Sequence, residues 1–81
     1  MHRVANAVEL FGAAGCPYTR ELREHLQWNR IAFTEYDVDA DPAALARLLS
    51  LTGGRAAVPV LVDNGRVTEI GWRGRCCAIE P

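Results

Sequence analysis

The sequence predicts a single α/β domain of order β-α-β-α-β-β, built on a mixed four-stranded sheet whose first two strands run parallel. Two observations carry this reading. Twice a short apolar run gives way to a helix-patterned stretch, the mark of a crossover unit with parallel strands. The final pair of strands is joined at Asn64-Gly65, a strong hairpin signal.

Ala7 to Phe11 reads as a buried strand bounded by Gly12 and Gly15. From Pro17 to Trp28 the apolar residues Tyr18, Leu22 and Leu26 recur at helical spacing, with Arg20, Glu21, Arg23 and Glu24 turned elsewhere. Pro17 suits the first helical position, since its φ is already helical and its missing N–H is one the helix does not use. After a break at Asn29-Arg30, Ile31 to Asp37 carries Phe33 and Tyr36 among β-formers and predicts the second strand. Asp41 as N-cap and Pro42 at the first position start a second helix. Its inward face is read as Leu45, Leu48, Leu49 and Thr52, and Gly53-Gly54 ends it. Val58 to Val62 is the third strand and Val67 to Ile70 the fourth. Pro59 sits awkwardly in that third strand. Either it begins the strand in the trans form, or a cis Val58-Pro59 bond bends the chain and presents the backbone of Val58 as an edge for an extended peptide.

The chain has 81 residues, enough for one domain spanning 1–81 and too few for a second. Its longest apolar run, Ala56 to Val62, is far too short to cross a bilayer, and no secretory leader precedes Cys16, so a cytoplasmic location is expected. A net charge of −1 and scattered arginines leave no footprint for nucleic acid. All 9 basic residues are arginine, which excludes amine chemistry by lysine and leaves guanidinium to grip carboxylates. The cysteines number 3, which is no secreted disulfide framework; metal binding, catalysis and inert burial all remain open for them.

Cys16 is the residue with the clearest chemical promise. It stands at a strand-to-helix turn, where the helix macrodipole and unpaired N–H groups favour the nucleophilic thiolate over the thiol. The competing reading is a small buried hydrophobe. Tyr18 is read either as core or as lining for the site. His25 lies nine positions beyond the thiol, too far along the helix to act as its base.

Cys16-Pro17-Tyr18-Thr19 on this turn, Gly54-Arg55-Ala56-Ala57-Val58-Pro59 before the third strand, and a hairpin ending at Ile70-Gly71 together resemble the glutaredoxins of the thioredoxin fold. The resemblance covers roughly residues 7 to 72. It implies a thiol-disulfide oxidoreductase in which Cys16 is the nucleophile and Val58-Pro59 a cis-proline loop. Val58 would offer main-chain hydrogen bonds to glutathione, the co-substrate, or to a disulfide-bearing protein.

Four departures from the family pattern shape the expectations. Thr19 replaces the second cysteine, giving a monothiol turn in which the Thr19 hydroxyl either donates to the Cys16 thiolate or caps the helix. Ala13 stands where the family has a lysine for a glutathione carboxylate, and Arg55 or Arg47 is the available substitute. The acidic residue that binds the γ-glutamyl amine is absent after Gly71, where Arg73 and Arg75 favour carboxylates instead. Too few residues follow Gly71 for the family's C-terminal helix, which is expected to be short or missing; one sheet face is then covered by Trp72 or by a second copy in a weak homodimer. Cys76 or Cys77 is the candidate to resolve a mixed disulfide on Cys16, unless both are exposed spectators. Two other classes stay in view: an iron–sulfur carrier held by Cys16 and external thiols, and a non-catalytic module that uses the Val58 edge without turnover. A zinc site from Cys16, Cys76, Cys77 and His25 fits no usual spacing, and no metal ligand is assigned.

Overall fold

In the computed structural model, residues 7–79 are described, and their order begins as expected. Strand β1 (Val8–Gly12), helix α1 (Pro17–Trp28), strand β2 (Thr34–Asp37) and helix α2 (Pro42–Thr52) lead into β3 (Ala57–Val58), β4 (Val60–Asp63), β5 (Arg66–Ile70) and β6 (Cys77–Ala78). The main sheet has the order β2-β1-β4-β5, with β1 parallel to β2 and antiparallel to β4. The β4-β5 hairpin is antiparallel, and its ladder shifts register between Leu61 and Val62.

The third strand differs from its expected form. Pro59 cuts the run into β3 and β4, because proline has no N–H to give a ladder, and the Val58–Pro59 peptide is cis. Only β4 joins the main sheet, whereas β3 pairs with β6 in a separate two-stranded ribbon. The second strand is also shorter than Ile31 to Asp37. Arg30 turns into the left-handed region at φ 57°, and the Ile31 N–H donates back to the Leu26 carbonyl at 2.9 Å, so these residues finish α1 and leave the strand to start at Thr34.

Each helix covers one face of the sheet. Helix α2 packs against β2 and β5 over the larger core, where Phe11, Ala44, Leu48, Val58, Val60 and Val62 are buried. Its N-cap is Asp41, whose carboxylate accepts from the Ala43 and Ala44 N–H groups at 3.0 and 3.3 Å. The buried α2 residues are Ala44 and Leu48, with Leu45 and Leu51 flanking them. The expected face including Leu49 and Thr52 was therefore rotated too far; Thr52 instead bonds the backbone of Arg55 through its hydroxyl.

Helix α1 lies on β1 over a smaller cluster of Leu10, Leu22 and Leu26. Trp72, Leu61 and Phe33 pack at its margin, so Trp72 takes part in covering the face where the family's last helix was expected to be missing. Among the described residues no helix follows β5. The chain there makes a tight reversal at Trp72–Arg75 and returns as β6.

Candidate functional site

Cys16 is the N-cap residue of α1, extended at φ −95° and ψ 114°, with Pro17 in the first helical turn. Its own N–H donates to the Ala13 carbonyl at 3.1 Å, which tightens the turn leaving β1. The Cys16 side chain makes no capping hydrogen bond, so the first-turn N–H groups and the helix dipole face the sulfur as an uncompensated positive end. This is the setting in which a thiolate is stabilised.

Thr19 occupies the next turn and is fully buried. Its hydroxyl oxygen accepts from the Ala13 N–H at 3.3 Å, and the position of Gly12 is set by the same side chain, since a Cβ at Gly12 would overlap it. Thr19 thus ties the helix to the strand-to-helix turn. It neither caps α1 nor bonds Cys16, the two roles expected of it. With Leu22 and Leu26 it also forms the buried stripe of α1, and Tyr18 stands half-buried beside the larger core.

The sulfur of Cys16 is joined in a disulfide to Cys77, 61 positions along the chain, with the two Cα atoms 6.0 Å apart. Cys76 is exposed and outside the bond. The choice between these neighbours follows from alternation along the extended segment entering β6: Cys76, just before the strand, is exposed, and Cys77, its first residue, turns to the opposite side and faces Cys16. The Cys16 sulfur also lies 3.9 Å from the Val58 carbonyl oxygen, a contact without a donated proton while the disulfide is intact.

Val58 was expected to present an open backbone edge. Instead β6 fills it: Val58 is registered opposite Cys77 and Ala57 opposite Ala78. The Ile79 N–H extends the ladder to the Ala56 carbonyl at 2.9 Å. On the other side of the bend, the Gly71 N–H donates to the Pro59 carbonyl at 2.7 Å, which fixes the start of the returning segment. Cys16, the Val58-Pro59 pair and Cys77 therefore come together in one place from three separate stretches of chain.

Of the arginines offered as carboxylate partners, Arg47 is already committed. It grips both oxygens of Glu9, at 2.6 and 2.8 Å, and its guanidinium lies over the rings of Phe11 and Tyr36. Arg55 is exposed just before β3. Ala13 is 5% exposed, so the position lacking the family lysine is part of the core. His25 lies against Trp72, ring centroids 4.8 Å apart. Among the described residues no three His, Cys, Asp or Glu side chains converge as a metal site.

Sequence reasoning missed β6. Its two strand residues follow two arginines and a glycine, and a two-residue strand carries too little alternation to register. The signal that was present is the Arg73-Gly74 pair, both residues at positive φ (55° and 79°), as in a tight hairpin turn.

The glutaredoxin family model matches residues 8–68, most of the chain. The chain belongs to the glutaredoxin family. Among solved structures it is similar to the thioredoxin-like protein BC3987, at 33% identity and a TM-score of 0.68, over 75% of this chain and 82% of the other. A mutant of that protein aligns at 32% identity, TM-score 0.71, over 82% of each chain. The glutaredoxin from Archaeoglobus fulgidus shares the fold at 20% identity, TM-score 0.73, over 84% of this chain and 77% of that one. No curated protein sequence matches the chain. For this glutaredoxin the matched region ends before the returning tail, so Cys77 lies outside the part the family model describes.

Proposed function

We propose that this protein is a thiol-disulfide oxidoreductase in which Cys16 attacks and Cys77 resolves. The observation that carries this reading is the Cys16–Cys77 disulfide at the N-terminus of α1. In the first step the Cys16 thiolate attacks one sulfur of a substrate disulfide. A mixed disulfide forms and the other substrate sulfur leaves as a thiolate. In the second, the Cys77 thiolate attacks the Cys16 sulfur, closing the internal disulfide and releasing the substrate as a second thiolate. The substrate has gained two electrons and the enzyme has lost them. Two equivalents of an external thiol, glutathione being the expected one, return the enzyme to its dithiol form and leave as a disulfide.

The helix terminus supports the thiolate of Cys16, while Val58 and Pro59 flank it. Arg55 is the guanidinium proposed to meet a glutathione carboxylate, since Arg47 is held by Glu9. Thr19 is a positioning residue that holds the turn. Cys76 is given no part in the cycle. The Cys16→Ser variant is expected to lose all disulfide reduction. Peptide mapping after oxidation with oxidised glutathione is expected to find Cys16 bonded to Cys77 in the unaltered protein, and a stable glutathione adduct on Cys16 in Cys77→Ser. Exchange activity that survives Cys16→Ser would end the reading.

A further inference from the structure

Strand β6 does more than deliver a thiol. Across the strand and its two flanking residues the side chains alternate, so Cys76 and Ala78 are exposed, whereas Cys77 is half-buried on Cys16 and Ile79 is 9% exposed within the larger core. The backbone of the segment is held as a strand by the Val58↔Cys77 and Ala57↔Ala78 pairing and by the Ile79 N–H to Ala56 carbonyl bond. Two inward positions, a thiol and an aliphatic side chain two residues later, are therefore read by the protein, and the residue between them is not.

We infer that the β3 edge, where the family resemblance already implies an extended peptide, selects the form cysteine, any residue, aliphatic, running antiparallel to β3, and that β6 is the chain's own tethered occupant of that edge. The inference rests on the reading of Cys16 as nucleophile and adds the identity of what it is built to meet. A client strand replaces β6: its cysteine takes the place opposite Val58, its aliphatic residue the pocket of Ile79, and its main chain the same ladder. While the Cys16–Cys77 bond is intact the edge is closed as well as the thiol, so reduction opens both together.

The test uses the full chain carrying Cys76→Ser and Cys77→Ser, which leaves Cys16 as the only cysteine and β6 free to leave the edge. Short peptides bearing one cysteine as a mixed disulfide with thionitrobenzoate are added. Attack of the Cys16 thiolate on the peptide sulfur forms the Cys16–peptide disulfide and expels coloured thionitrobenzoate with the electron pair. Peptides containing Cys-Ala-Ile are expected to react about tenfold faster than those with Cys-Ala-Ser, as befits burial of one aliphatic side chain. Cys-Ser-Ile is expected to match Cys-Ala-Ile. Adding Ile79→Ser, which loosens the occupant, is expected to raise the rate further. Equal rates for Cys-Ala-Ile and Cys-Ala-Ser would overturn the inference and leave Cys16 as a nucleophile of no peptide preference. Absence of release from every peptide and from the glutathione mixed disulfide alike would overturn the reading of Cys16 itself.

Discussion

At the scale of single residues, two polar groups bear weight out of proportion to their size. Thr19 gives the buried turn its one hydroxyl, and the Ala13 N–H depends on it. Replacing it by the near-isosteric valine keeps the packing and removes the acceptor, so Thr19→Val is expected to cost about 1–3 kcal/mol in urea unfolding. Glu9 is held below the usual carboxylate range chiefly by hydrogen bonds from the Arg47 guanidinium, aided by its charge and by the Tyr36 hydroxyl, against a smaller opposing effect of burial. A carboxyl whose value is lowered in the folded state stabilises the fold above its unfolded value, about 4.3. That contribution is lost as pH falls through the lowered one. The urea midpoint of the unaltered protein is therefore expected to drop below about pH 4, and the gap between it and Glu9→Gln to narrow over the same range. A gap that stays constant with pH would show the pair to be electrostatically idle.

At the scale of elements, the returning tail is the part to probe. Gly71 sits at φ 91°, and a Cβ there would meet the Arg75 carbonyl oxygen at 2.9 Å, so both the backbone and the space demand glycine. Gly71→Ala is expected to strain the reversal by about 1–3 kcal/mol. Since this strain falls on the segment that brings Cys77 to Cys16, the variant should hold less of the internal disulfide at a fixed ratio of reduced to oxidised glutathione, while Cys16 stays reactive. An unchanged disulfide fraction would mean that β6 finds its place without the turn. The same elements show what was legible beforehand. Asp41, Pro42 and Gly53 declared α2 through caps and φ preferences that act locally, and Asn64-Gly65 declared the β4-β5 hairpin in the same way. The role of Thr19 was not legible, because its partner is a backbone group six positions earlier that only the folded turn brings close.

For the whole molecule, the family's fold could be read from three short motifs in order, whereas the choice of Cys77 over Cys76 and the filling of the Val58 edge could not. Both depend on the register of a strand that exists only because β3 is there to pair with it. The bond it makes closes a loop with a sequence separation of 61. Chain-entropy arguments give a cross-link over that span roughly 4 kcal/mol. Reduction is accordingly expected to lower the thermal midpoint markedly, and Cys77→Ser to melt alike with and without reductant. A midpoint indifferent to reductant would show the reduced tail to be as well ordered as the oxidised one. A pair of cysteines close in sequence can meet in a disordered chain almost as readily as in a native one. Here the two sulfurs owe their effective molarity to the assembled sheet. On the proposed function, a chain that has lost the ribbon of β3 and β6 loses the pairing of Cys16 with Cys77, so the disulfide-exchange capacity of a sample is expected to count its correctly folded molecules.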